Sequence, residues 1–497
     1  MQKHYKLTEG AREEIPQNRE MAINKDMESW ISSEQNGSVE PLIQQANVKT
    51  NKRSIWMILF STVVVVCGSF VFGSCVGFSA PSQSAIMNDM GLSLSEFAVF
   101  GSILTIGAMI GAIASGRIAD FLGRKGSLQA MRVSALFGMV GWLAIYFGKN
   151  VVLLDFGRIS TGFGTGVFSY VVPVFIAEIA PKNLRGGLTA LNQLMICGGL
   201  SVTYIVGTLV SWRELALIGL IPCVILLFGL FFIPESPRWL AKVGQQELFE
   251  ESLRRLHGKD ADISEEAAEI QDYIETLNRL PKAKIVDLFQ RKYIRSTIVG
   301  VGLMAFQQFG GINGIVFYSS QTFVSAGFSS GNFGTILIGA IQLPITALGA
   351  ILTDNSGRKP LLLISSSGTF LGCFIAALSF FLQERGVNVE WNSILTLCGI
   401  LIYIGSFAMG MGAIPWIIMS EIFPINIKGT AGSLVTLMNW FGSWLLSYSF
   451  NFLMSWSSWG TFLIFTVICA ANVVFVLMLV PETKGRTLEE VQSSMNS

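Results

Sequence analysis

The chain has 497 residues, 51% hydrophobic and only 13% charged, where an average soluble domain has about 25% charged residues. Lys and Arg number 34 and Asp and Glu 33, and this balance excludes a strongly basic nucleic-acid binder and an acidic solvating chain. Residues 1–53 hold 16 of the charges and residues 234–296 hold 23, so the rest of the chain shares 28, too few to cover a water-soluble surface of this size. Most of the protein must be solvated by lipid. Only two histidines occur, His4 and His257, both in charged segments, which excludes a histidine metal site or triad. All seven cysteines (Cys67, Cys75, Cys197, Cys223, Cys373, Cys398, Cys469) fall in apolar stretches and are expected as small buried hydrophobes, not a disulfide framework.

In chain order, residues 1–54 are polar and form a cytosolic tail, mostly disordered for want of apolar content. The first 50 residues carry no secretory signal pattern. The run Glu40-Pro41-Leu42-Ile43 is similar to an acidic dileucine-type sorting signal. Six apolar spans follow, at about 55–78, 95–116, 127–147, 151–174, 188–210 and 213–233. Residues 234–295 form a charged segment in which Leu248, Leu253, Leu256 and then Ile270, Ile274, Leu277 recur at helical spacing, predicting short amphipathic helices under the membrane. Six more spans occupy 296–318, 332–353, 361–382, 393–416, 430–452 and 460–480, with a short tail at 481–497. Each span is long enough to cross roughly 30 Å of hydrocarbon as a helix, and only helices and closed barrels satisfy the backbone there. The expected fold is an all-α membrane protein of twelve transmembrane helices.

Orientation follows from Lys and Arg. The even-numbered connections carry Arg117, Arg124, Lys125, Lys182, Arg185, Arg358, Lys359 and Lys428, the odd-numbered ones only Lys149, Arg213 and Arg385. Both termini and the 234–295 segment are expected in the cytosol, where the triplet Asn36-Gly37-Ser38 could not be glycosylated.

The two halves repeat in parallel. Gly123-Arg124-Lys125 recurs as Gly357-Arg358-Lys359, and Pro234-Glu235-Ser236 recurs as Pro481-Glu482-Thr483. Between them, the Pro173, Glu178, Pro181, Gly186 pattern returns, displaced by one residue at its ends, as Pro415, Glu421, Pro424, Gly429. A six-span half in two parallel copies is the pattern of transporters whose bundles rock about a central site.

These motifs carry a family resemblance. Residues Gly116 to Lys125 (GRIADFLGRK) resemble the signature loop of the major facilitator superfamily. Pro234 to Leu240 (PESPRWL), Gln307 to Asn313 (QQFGGIN) and Pro481 to Gly485 (PETKG) resemble the sugar porter family within it. The resemblance covers about residues 55–490. The run from Ala408 to Trp416 (AMGMGAIPW) is most similar to plant early-responsive-to-dehydration-type monosaccharide transporters. It implies two six-helix bundles and a small-molecule sugar as substrate, with no metal, cofactor or nucleic-acid partner, and a monomer as the working unit.

A sugar is a neutral polyol, so its site needs uncharged amides and hydroxyls plus an aromatic face. Span 7 supplies Gln307, Gln308 and Asn313, three amides that lipid tolerates only against a cavity or another helix. The resemblance adds Gln193 in span 5, Gln342 in span 8 and Asn439 in span 11 as sugar-contacting positions. It adds Trp416 as the residue against the ring, with Trp440 nearby, and Tyr318 as an outer gate. Ala408 and Ser443 depart from the family, standing where many relatives carry an acidic residue and a site asparagine.

In span 1 the run Phe72-Gly73-Ser74-Cys75 places Cys75 where proton-coupled sugar porters carry an Asp. A buried thiol is a poor proton carrier, and no Asp or Glu lies mid-span. The nearest are Asp155, Glu178 and Glu421. Arg158 matches the arginine that partners the missing Asp. Energy-independent facilitated diffusion of a hexose such as glucose is therefore expected, with proton symport the alternative and a non-transporting sugar sensor a remote one. An enzyme is disfavoured, because no nucleophile–base pair or metal set appears.

A second constellation lies on the cytosolic side: Arg117, Asp120, Arg124, Glu178, Arg185, Arg238, Arg358, Glu421 and Lys428, with Glu482. The resemblance implies that such groups pair across the bundles to close the inner gate. The protein is expected as a multi-pass protein of the vacuolar or plasma membrane.

Overall fold

Lipid offers no partner to a backbone N–H or C=O, so long apolar runs satisfy themselves as helices. In the computed structural model every regular element among the described residues is helical. Described are residues 40–121, 126–181, 184–258, 262–279, 284–387, 389–424, 427–485 and 490, without the side chains of 40–54, 116–121, 278, 354, 389 and 390. The chain divides into two units, Met1–Trp56 and Met57–Ser497, and every helix but the first begins within the second.

In the first half of the chain lie α1 (Glu40–Gly77), α2 (Ser79–Met90), α3 (Leu94–Phe121), α4 (Gly126–Tyr146), α5 (Val151–Ile179), α6 (Arg185–Gly207) and α7 (Trp212–Gly229). The central segment folds as α8 (Pro237–Lys242), α9 (Gln246–His257) and α10 (Ser264–Arg279). The second half contains α11 (Ile294–Phe309), α12 (Ile312–Phe317), α13 (Ser319–Ser325), α14 (Asn332–Ser356), α15 (Arg358–Glu384), α16 (Val389–Ser406), α17 (Ile414–Ile422), α18 (Lys428–Trp456) and α19 (Ser458–Leu479).

Among the described residues, eleven helical stretches are long and apolar enough to cross a membrane. The stretch over 430–452, expected as a twelfth, lies in α18, which is 29 residues long but does not belong to that apolar set. The cause is visible in its sequence: Asn439, Ser443, Ser447 and Asn451 recur every four residues and all four are buried. Residues at that spacing share one helix face, so α18 turns a polar stripe towards protein.

Two predicted spans are broken helices. Span 7 ends its first helix at Phe309 and restarts as α12 after Gly310 and Gly311. Gly311 has φ of +108°, a conformation open to glycine and costly for other residues. Span 10 runs through a π-helical turn, Phe407–Met411, before α17 resumes with Pro415 in its first turn. A π-turn inside a helix frequently marks a functional site.

Helices approach closely through small residues. A Cβ on Gly162 would lie 2.1 Å from the Leu104 carbonyl oxygen, and one on Gly166 2.0 Å from that of Ala108, so α5 sits with its backbone against α3. Within the first half, α4 packs on α5 and α7. Within the second, α15 packs on α16 and α19. The halves meet where α3 packs on α18 and α6 on α14.

The central segment is helical as expected, but its buried face is shifted. Leu253 and Leu256 are buried, whereas Leu248 is exposed and Phe249 takes its place. Phe249, Leu253 and Leu256 lie at i, i+4 and i+7, which is the better apolar stripe, and Leu248 lies about 100° off it. Phe249, Leu253, Ile270 and Leu240 form a small core of their own, with Ile274 packed against it.

Candidate functional site

The break after Phe309 leaves Gln307 and Gln308 at the end of α11 with Asn313 at the start of α12. Asn313 Nδ2 donates to Gln308 Oε1. Gln308 Nε2 donates to Asn439 Oδ1 on α18 at 2.6 Å and to Gln307 Oε1 at 3.2 Å. Gln307 Nε2 in turn donates to the Met411 carbonyl at 2.6 Å, the last residue of the π-turn, and more weakly to that of Gly412 at 3.4 Å. Four of the predicted amides thus form one connected chain. It is anchored on a backbone carbonyl, and Gln307, Gln308 and Asn439 are buried. Trp416 lies one turn beyond that carbonyl on α17, half-buried against the second-half core. Trp440 follows Asn439 and stands 5.8 Å from the Phe72 ring of α1, across the two halves. Ser443 is buried on the stripe of Asn439.

Gln193 and Gln342 form a separate cluster. Gln193 Nε2 and Gln342 Nε2 both donate to Cys197 Sγ at 3.7 Å, and the Thr346 hydroxyl donates to it at 3.3 Å. Thr346 escaped the sequence reading and Cys197 was expected only as a small buried hydrophobe, because neither residue type is diagnostic until α6 and α14 are packed. Asn192 escaped it too; it accepts from the Ser69 hydroxyl at 2.7 Å and ties α6 to α1.

Arg158 is wholly buried in the first half. Its Nη1 donates to the Cys75 carbonyl at 2.8 Å, Nη2 to the Ser79 hydroxyl at 2.6 Å and Nε to the Phe100 carbonyl at 3.4 Å. The guanidinium also lies 5.1 Å from the Phe100 ring and 5.8 Å from the Phe78 ring. Cys75 therefore serves Arg158 through its backbone, not its thiol. The carboxylate of Asp155 lies one turn away on the same helix and is half-buried.

At the far end of α12, Tyr318 is fully buried. Its hydroxyl donates to the Ser447 carbonyl at 2.9 Å, and its ring stacks on Phe450 at 5.6 Å. A Cβ on Gly101 of α3 would stand 2.6 Å from that hydroxyl, so Tyr318 closes against the first half. Tyr204 of α6 donates to the Val316 carbonyl beside it, a second contact between the halves at this end.

The charge clusters occupy the opposite helix ends. Arg358 Nη2 meets Glu421 Oε1 at 3.1 Å, and the Thr483 hydroxyl donates to Glu421 Oε2 at 2.5 Å. Glu482 accepts from the backbone N–H groups of Arg358, Lys359, Thr483 and Lys484. Burial opposes its charge, but those four bonds outweigh burial and hold its carboxyl below the usual range. Its repeat mate Glu235 accepts from Ser236 and Leu128. Burial wins there, with some help from nearby Glu178, and pushes the carboxyl up to about 7.

Lys428 is near Glu421. Glu178 is reached by the Ser236 side chain, with Arg238 nearby, and Arg238 itself lies over the Tyr273 ring at 5.5 Å. Arg185 Nη2 donates to the Ala180 carbonyl at 3.4 Å. The ion pair seen here, Arg358 with Glu421, lies within the second half, not across the halves. Arg117, Asp120 and Arg124 fall outside the residues whose side chains are described.

Comparison with known proteins places this architecture. Residues 26–494 match the family described as Sugar (and other) transporter. Sugar transporter ERD6-like 7 of Arabidopsis thaliana is 62% identical over 457 residues, covering 92% of this chain and 98% of that protein. Sugar transporter ERD6-like 16 of the same plant is 62% identical over 443 residues, 89% and 91% of the two chains. The inward-open xylose transporter XylE of E. coli superposes with a TM-score of 0.73 at 27% identity, covering 88% of this chain and 99% of that one. A proton:xylose symporter XylE bound to 6-bromo-6-deoxy-D-glucose gives 0.72 at 26% identity, covering 90% and 100%. The likeness to early-responsive-to-dehydration-type transporters read from residues 408–416 therefore extends over most of the chain. The chain belongs to the sugar porters, the sugar-transporter family of the major facilitator superfamily, and it is a transporter and not an enzyme.

Proposed function

We propose that this sugar transporter carries a monosaccharide, a hexose such as glucose, by alternating access and without proton coupling. The observation that carries the reading is the connected amide chain Gln307–Gln308–Asn313–Asn439. It is uncharged, it lies where two helices break, and its donors and acceptors can re-pair with hydroxyls. Gln193 and Gln342 form the facing wall and Trp416 supplies the aromatic face. α18, with its polar stripe turned inward, is the twelfth span. Residues 55–233 and 296–480 then form two six-helix bundles, each moving as a body. The Lys and Arg distribution puts both termini and α8–α10 in the cytosol, in a vacuolar or plasma membrane, with a monomer as the unit.

Uncoupled transport is supported by Arg158, whose three donors all end on neutral acceptors. A proton coupler needs a group that changes charge between the two open states, and the Cys75 position supplies only a carbonyl. The alternative, proton symport, is favoured by the solved relative titled a proton:xylose symporter. Labelled glucose uptake into liposomes separates the two. Uptake is expected to stop at equal concentrations inside and out, with or without an inward proton gradient. Accumulation that a protonophore abolishes would overturn the uncoupled reading.

We also propose that the Arg358–Glu421–Thr483–Glu482 cluster keeps the inner ends of α14, α15, α17 and α19 moving together, with Tyr318 as the outer gate. Glu421→Gln removes a charge-assisted bond, and turnover is expected to fall roughly 3–10-fold while KM stays nearly constant. A large rise in KM at unchanged turnover would refute this role.

A further inference from the structure

The two broken spans free backbone carbonyls from their helical partners, and each break is completed by a side chain of the other span. In span 10, Pro415 has no N–H to give the Met411 carbonyl four residues earlier. The Trp416 N–H turns to the Ala413 carbonyl at 3.2 Å, so the Gly412 carbonyl is released as well. Both freed carbonyls accept from Gln307 Nε2 of span 7, at 2.6 and 3.4 Å. In span 7, Gly310 follows the end of α11, where carbonyls lose their i+4 donors. Its carbonyl accepts from the Tyr403 hydroxyl of span 10 at 3.0 Å. Cys469 Sγ on α19 is a second, weaker donor to it at 3.8 Å.

Tyr403 is only 2% exposed. It lies one turn before the π-turn, and its ring stacks on Phe407 at 6.4 Å. Ser365 of α15 brackets the π-turn: its hydroxyl donates to the Ser406 carbonyl just before it at 2.6 Å and accepts from the Met411 N–H at its end at 2.8 Å. The π-turn is thus fixed to α15, and Gln307 and Tyr403 fasten the span-7 break to it from both sides. We propose that Tyr403 is a positioning residue for transport: with Gln307 it forms a reciprocal clasp that makes the two breaks move as one body and holds the amides of Gln307 and Gln308 in their sugar-binding setting. This rests on the sugar-transport reading and adds to it a residue that acts through the backbone of the break. Each bond of the clasp constrains a carbonyl in one break and a side chain rooted in the other span, so losing either bond loosens both breaks.

Tyr403→Phe tests this, because it removes the hydroxyl and keeps the ring on Phe407. The full chain is reconstituted in liposomes, and uptake of labelled glucose, xylose and fructose is measured against concentration. Hydrogen–deuterium exchange of segments 309–318 and 406–417 is followed on the same proteins. Tyr403→Phe is expected to raise KM about tenfold, the effect of one buried carbonyl left unmet. The maximal rate should stay within about twofold of the parent. A lower melting temperature and less active protein at constant KM would mark a purely structural tyrosine and overturn the inference. Cys469→Ala removes the weaker donor and should leave KM within about twofold. A tenfold rise there would assign the effect to packing around Gly310 and overturn the inference too. Exchange reads the clasp without any sugar: it should quicken in both segments in Tyr403→Phe and in Gln307→Leu. Quickening confined to the segment whose carbonyl lost its donor would overturn the inference alone. Absence of uptake by the parent for all three sugars would overturn the hexose reading, and exchange would still decide the clasp.

Discussion

Gln308→Ala is expected to weaken sugar binding by roughly 30- to 1000-fold. Gln308 is the hub of the amide chain: its nitrogen holds Asn439 and its oxygen receives Asn313. Truncation leaves an acceptor on α18 and a donor on α12 without the partner that orients them, at about 1–2 kcal/mol for each of these groups. Two such groups amount to about 2–4 kcal/mol of lost binding. Gly442 packs against the stem of Gln308, with a virtual Cβ 2.9 Å from Gln308 Cβ, so truncation also loosens the contact with α18. Equilibrium binding of labelled glucose to purified protein measures the effect, with thermal unfolding as the check on folding. Affinity within about threefold of the parent, which is under 1 kcal/mol, would remove the amide chain from the site.

Arg158→Leu is expected to damage the fold more than loss of any one amide of the site. Arg158 ties α5 to the Cys75 carbonyl of α1, the Ser79 hydroxyl of α2 and the Phe100 carbonyl of α3. Leucine fills much of the volume but leaves those acceptors buried and unmet, at about 3–5 kcal/mol in total. Arg158→Lys should fall between, because a single ammonium cannot span three acceptors set for a planar fork. Melting of the detergent-purified proteins tests the order. A leucine variant melting within about 2 °C of the parent, a shift under ~1 kcal/mol for a chain this large, would show the arginine to be dispensable for folding.

Much of this was legible in the sequence. Spans are written in runs of about 20 apolar residues, and the sparse charges between them mark the helix ends where Arg358, Glu421 and Glu482 cluster. The repeat of Pro234-Glu235-Ser236 in Pro481-Glu482-Thr483 marked Glu235 and Glu482 as equivalent, and the structure sets each carboxylate against a helix start. The repeat did not foretell their difference: Glu482 receives four backbone N–H groups and Glu235 two. The Leu248 assignment failed because spacing alone allows two neighbouring stripes on α9, and only packing against Leu240 and Ile270 chooses Phe249.

Composition and periodicity by themselves determined that this is a helical membrane protein, because lipid penalises charge and unpaired backbone everywhere along a span, and the recurring motifs divided its sequence into two repeating halves. The motifs pointed to a sugar porter; the amides of Gln307, Gln308 and Asn313 stood out because three uncharged polar groups in one span are costly in lipid, and Asn439 came from the resemblance. Only the tertiary structure decided which of these groups bond each other, that Arg158 meets the Cys75 carbonyl in place of its thiol, and that Cys197 joins Gln193 to Gln342. The contacts among them that join different spans link residues from 83 to 149 positions apart in the chain. A hydrogen bond forms only within about 3.5 Å, so helix packing, which local sequence does not encode, selects the partners.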